Sequence, residues 1–164
     1  MATTIDKPSE IIKAPNEFDM SDGNIKIFLA GSIEMGKAED WQTKLSEDLK
    51  SYRITILNPR RDIFDKDLVQ SIDTPAFYEQ VSWELLAQEN SDIIAMYFVP
   101  GTQSPISLLE LGLFARSGKM IVCCPDGFWR KGNVEIVCQR YDVPFHNNYD
   151  TWLLNIKDRL KRIQ

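Results

Sequence analysis

The chain has one histidine and three cysteines among its 164 residues, and these shortages exclude two kinds of site. His146 alone cannot build a multi-histidine metal centre and reads as an ordinary loop or strand-end residue. Cys123, Cys124 and Cys138 have neither the even count of a disulfide framework nor the ligand spacing of a zinc site. Neither a metal nor an organic cofactor is expected. Long apolar runs are missing too. The longest, such as Ile93 to Pro100, are too short to cross a bilayer, and the polar start lacks the basic and apolar regions of a secretory signal. The expectation is a cytoplasmic protein with no membrane partner. A net charge of −5 disfavours nonspecific binding to a nucleic-acid backbone. What is present, 43% hydrophobic and 26% charged residues, is the composition of an ordinary globular domain.

Residues 1–24 carry prolines and many polar side chains with little apolar periodicity, and read as an extended leader. The domain proper spans 25–164. Short apolar runs predict buried strands at Ile25 to Ala30, Ile54 to Leu57, Ile93 to Val99 and Met120 to Cys124, with a weaker fifth at Val143 to Phe145. Helical patterns lie between them at Ala38 to Ser51, Ala76 to Glu89, Ile106 to Ser117 and Val134 to Arg140. A closing helix near Tyr149 to Ile163 buries Trp152, Leu153, Ile156 and Leu160. Thr74-Pro75 and Ser104-Pro105 place a capping side chain before a proline suited to the first helical position. Strand and helix alternate, so the expected fold is α/β: a five-stranded, flavodoxin-like (Rossmann-type) parallel sheet with helices on both faces. Ligands of such sheets bind beyond the strand carboxyl ends. That rule selects the loops Gly31 to Gly36, Asn58 to Arg61, Pro100 to Glu110 and Pro125 to Asn133.

In the first loop, Gly31-Ser32-Ile33 and Gly36 follow a strand and precede a helix, so the backbone can approach a phosphate or sugar closely; the same pattern suits a plain turn. The loop is neither a Walker loop nor a three-glycine dinucleotide fingerprint. In Asn58-Pro59-Arg60-Arg61 the proline fixes the bend from which Arg60 projects toward a ligand, while Arg61 reads as a solvated surface residue. Glu110 stands among leucines at the start of a helix. It reads either as a tuned nucleophile or base, or as the acid of a capping box with Ser107. On the helix before it, Gln80 shares a face with Glu84.

Taken together, Ile27-Phe28-Leu29-Ala30-Gly31-Ser32-Ile33, Gln80-x-x-Trp83-Glu84, Ser91-Asp92-Ile93-Ile94 and Glu110-Leu111-Gly112 resemble the nucleoside 2-deoxyribosyltransferase family over about residues 25 to 160. The divergent transferase-like branch is the nearest in flavour, and the related deoxynucleoside 5′-monophosphate N-hydrolases share the Gly-Ser-Ile loop. The resemblance implies that Glu110 attacks the anomeric carbon of a 2-deoxyribosyl group and that Glu84 assists at the sugar or leaving base. It implies a nucleoside or nucleotide held by Gly31, Ser32, Ile33, Asn58, Arg60, Gln80 and Ser107. It also implies a homo-oligomer in which a residue such as Asn133 crosses an interface; Phe128-Trp129, read from the sequence as an exposed aromatic pair, is a candidate contact patch. Two features depart from the family pattern: the first strand offers Ile27 and Phe28 where the transferases carry a tyrosine, and Ser104 stands six residues before Glu110 where they carry an aspartate. Three functions follow as expectations: deoxyribosyl transfer through a glycosyl-glutamate, hydrolysis of a deoxynucleoside 5′-monophosphate, or a catalytically silent nucleotide-binding module.

Overall fold

A computed structural model describes residues 8–164. The predicted parallel sheet is present, with six strands rather than five. They are β1 (Glu10–Lys13), β2 (Ile25–Gly31), β3 (Ile54–Asn58), β4 (Ile93–Tyr97), β5 (Met120–Cys123) and β6 (Phe145–His146), in the spatial order β1-β3-β2-β4-β5-β6. All pairings are parallel. The extra strand comes from the segment read as a leader. Glu10 to Lys13 fall in register with Thr55 to Asn58 and cover what would otherwise be an open sheet edge. Without β1 the order is the flavodoxin-like one, and the switch point lies between β2 and β4.

The central strands are mostly apolar because helices cover both sides, with Lys26, Thr55 and Asn58 as buried polar exceptions near the ends of β2 and β3. Phe28, Ala30, Ile94, Met96 and Val122 face α2 (Pro75–Asn90), α3 (Pro105–Phe114) and α4 (Lys131–Arg140). Ile27, Leu29, Ile93, Ala95 and Ile121 face α1 (Trp41–Asp48) and α5 (Tyr149–Ile163). The closing helix has its expected ends, with Trp152, Ile156 and Leu160 fully buried. No helix among the described residues is long and apolar enough to cross a membrane.

The starts of α2 and α3 are within a residue of those expected, but their chemistry differs, and α4 starts three residues earlier than expected, at Lys131. α2 and α3 begin at Pro75 and Pro105, yet neither Thr74 nor Ser104 caps with its side chain. Ser104 is held left-handed at φ 46, and its hydroxyl turns to other partners. α1 starts three residues later than expected because Asp40 is its cap, accepting from the Thr43 amide at 3.1 Å. β6 is shorter than expected at its start because Val143 closes the end of α4, donating its N–H to Cys138 O at 2.9 Å just after Asp142 at φ 54.

Candidate active site

At the switch point the chain binds its own loops together. Gly31 is required there: a Cβ on it would lie 2.1 Å from Tyr97 O, so only glycine lets β2 and β4 approach so closely. Gly36, at φ 82, makes room for the Phe64 ring in the same way. The two glycines expected to admit a ligand therefore admit neighbouring parts of the chain. Ser32 is buried, and its Oγ meets Ser104 Oγ at 2.6 Å and Thr102 Oγ1 at 2.9 Å while accepting from the Val99 amide at 2.9 Å. Its carbonyl accepts from Trp41 Nε1 at 3.0 Å. Ile33 turns the chain, its carbonyl accepting from the Gly36 and Ala38 amides at 3.0 and 3.2 Å.

Between α2 and α3 lies a pair of carboxyls. Glu110 is 7% exposed, and its Oε1 accepts from Gln88 Nε2 at 3.0 Å. Burial, with the Glu84 charge beside it, pushes the Glu110 carboxyl up to about 8 against the lowering effect of the Gln88 amide. Burial also raises Glu84, opposed by the Gln80 hydrogen bond and the Arg61 charge. Gln80 Nε2 donates to Glu84 Oε1 at 2.6 Å, the i,i+4 pairing expected on one helix face. The Glu84 charge thus adds to burial in favouring the protonated form of Glu110. The capping-box reading of Glu110 does not survive. Ser107 is the third residue of α3 rather than its cap, and the Glu110 side chain turns into the helix seam. Ser107 is itself buried on that helix.

The two arginines have different partners within the chain. Arg60 donates to four acceptors of the β2–α1 connection and α1: the carbonyls of Gly36, Ala38 and Glu39, and Gln42 Oε1, at 2.9–3.2 Å. Its guanidinium is a strut. Arg61 Nε donates to Gln80 Oε1, which ties it to the carboxyl pair, and its Nη2 is buried without a hydrogen-bond partner among the described residues. Both arginines line a cleft of about 330 Å³ with Lys13, Gly36, Asn58 and Phe64. Asn58, at the end of β3, accepts the Arg60 amide on Oδ1 at 2.9 Å.

Outside this region, Asn133 sits exposed on the first turn of α4 rather than in a loop. Phe128 is buried against Phe98, with ring centroids 4.7 Å apart, so only Trp129 of the expected contact pair is exposed. Sequence reasoning missed Gln88, although Gln80, Glu84 and Gln88 recur every four residues along one face of α2, a signal that was available.

A doubly wound parallel sheet with a buried glutamate and a half-buried one on the seam of two crossover helices belongs to the α/β proteins whose small-molecule sites lie at the strand carboxyl ends. Residues 24–128 match the model of the family described as nucleoside 2-deoxyribosyltransferase like, and the chain belongs to that family. The matched stretch contains every residue of the carboxyl pair and its partners, and it ends before Asn133. No curated protein matches the chain.

Proposed function

We propose that the protein cleaves the N-glycosidic bond of a 2-deoxynucleoside and transfers the deoxyribosyl group to a second nucleobase through a glycosyl-glutamate on Glu110. One observation carries this reading: Glu110 is buried, lies near the Glu84 charge and is oriented by Gln88 inside the segment that matches the family. The ionised Glu110 attacks the anomeric carbon as the bond to the base breaks, forming an acylal-type ester. The departing base leaves with a proton, because an unprotonated nucleobase is a poor leaving group. Glu84, held by Gln80 and near Arg61, supplies it. A nitrogen of the incoming base then gives its proton to the Glu84 carboxylate, attacks the same carbon, breaks the bond to the Glu110 oxygen and returns the free Glu110 carboxylate.

A homo-oligomer belongs to the same proposal, through a different surface from the Phe128-Trp129 pair. Leu109 and Leu113 with Ile106 form an exposed stripe on α3, and Tyr78, Val81 and Leu85 form another on α2. The stripes flank the Gln88–Glu110 seam, and such apolar area on a helix exterior is the usual mark of a covered interface.

Incubating the protein with a 2-deoxynucleoside, with and without a second base, and separating the products tests the reaction. A new nucleoside in the presence of the acceptor supports transfer. Free base released equally in both arms supports hydrolysis, and no change in either arm supports a silent binding module.

A further inference from the structure

Glu34 reaches from the loop after β2 across to the loop after β4. Its Oε1 accepts the backbone N–H of Gln103 at 3.0 Å and of Ser104 at 2.7 Å. Two successive amides converging on one oxygen form an anion-binding concavity, here filled by a carboxylate of the chain itself. The loops on either side belong to β2 and β4, so this carboxylate lies across the switch-point crevice, where ligands of doubly wound sheets bind.

Holding the loops together does not require that contact. The hydroxyls of Ser32, Thr102 and Ser104 already join them at 2.6–2.9 Å, and the Val99 amide adds a further bond to Ser32. Glu34 and its neighbour Met35 both stand in the left-handed region, at φ 50 and φ 54, which side-chain-bearing residues seldom occupy. What Glu34 adds beyond the hydroxyl contacts is a negative charge in the crevice. The cation of the adjoining segment, Arg60, has its guanidinium committed to carbonyls and Gln42.

We infer that Glu34 is a specificity-determining residue that keeps anionic groups out of the crevice, so that the site takes an uncharged nucleoside in preference to its 5′-monophosphate. The identity of the ligand rests on the N-glycosidic reading above; the exclusion of anions does not. A phosphate entering the crevice finds the two amides occupied and meets a like charge, whereas a neutral hydroxyl meets no repulsion and can donate to the carboxylate.

The test compares the full-length wild type with Glu34→Gly, which suits the positive φ, and Glu34→Gln, which keeps the side-chain shape without the charge. Thermal melts verify that each is folded. Calorimetry then measures binding of a 2-deoxynucleoside, its 5′-monophosphate and inorganic phosphate. In the wild type the nucleoside is expected to bind more tightly than the monophosphate. In both variants the affinity for the monophosphate relative to the nucleoside should rise by about tenfold or more, the order expected when a like charge a few ångströms away is removed. Inorganic phosphate should bind the variants measurably more tightly than the wild type. An unchanged ratio, or a wild type that prefers the monophosphate, overturns the inference. If no form binds the nucleoside, the N-glycosidic reading fails and the phosphate arm decides the role of Glu34: gained phosphate binding in the variants supports it, and equal binding in all three forms overturns it.

Discussion

Gln88 Nε2 donates to Glu110 Oε1 at 3.0 Å across the seam between α2 and α3, while the carbonyl oxygen of the same amide is buried without a partner among the described residues. A glutamine that leaves one buried polar atom unsatisfied and still orients a carboxyl stabilises the ionised form of that carboxyl. Gln88→Leu removes the donor. The pH midpoint of kcat/KM should then move upward, and activity at pH 7 should fall by about tenfold, the effect of losing one hydrogen bond to a charged group. An unshifted profile would reduce Gln88 to a packing role.

For the wild type, the proposed nucleophile is the ionised form of a group that burial holds at about 8. The kcat/KM of the free enzyme should therefore rise between about pH 6 and 9 as Glu110 loses its proton and fall again once Glu84, the proposed acid, has lost its own, because the reactive form keeps one proton on the two carboxyls. Initial rates across that range check it. A profile already flat at pH 6 would mean that Glu110 is ionised earlier or is not the nucleophile.

The same shift has a stability consequence of opposite sign. A carboxyl that titrates near 4.5 when exposed and at about 8 when folded binds its proton more tightly in the native state, so it destabilises the fold progressively as pH rises between those values. Glu110→Gln removes that cost. At pH 8 its melting temperature should exceed that of the wild type by a few degrees, at roughly 2–4 °C per kcal/mol for a chain of this size, and at pH 4 the two should nearly coincide. Turnover by Glu110→Gln should collapse at both pH values.

Arg60 and Arg61 separate structure from site. Arg60→Ala deletes the hydrogen bonds that hold the segment before α1 and should cost about 2–4 kcal/mol of stability, measured by denaturant unfolding. Arg61→Ala should leave stability within about 1 kcal/mol of the wild type and instead lower kcat by disturbing Gln80 and Glu84. Equal stability losses at both positions would contradict this division.

Leu109→Glu places a charge in the centre of the exposed α3 stripe. Sedimentation should show a smaller assembly than the wild type at the same concentration, while Trp129→Glu should leave the assembly unchanged. A wild type that is already monomeric would remove the proposed interface.

The central strands and all five helices could be read from the sequence because doubly covered parallel strands are continuous apolar runs and the crossover helices alternate with them. β1 could not. Glu10-Ile11-Ile12-Lys13 has only two apolar residues, and its pairing depends on the free edge of β3, which a sequence does not display. Glu110 stood out as a carboxylate among leucines, but the choice between cap and seam turned on which way α3 faces. The need for glycine at 31 comes from the register of β2 against β4, a tertiary fact. Arg60 and Arg61 were adjacent candidates whose directions are set by the bend after Pro59, and composition carries no information on which of two neighbours points inward.

The most direct test of the central claim is to trap the glycosyl-enzyme. Wild-type protein is treated with a 2-fluoro-2-deoxyribosyl nucleoside, whose electron-poor sugar slows breakdown of the intermediate, and the added mass is located by peptide mapping. A single fluorosugar on Glu110, absent from Glu110→Gln, is the expected result; label on Glu84, or full turnover by Glu110→Gln without label, would contradict it.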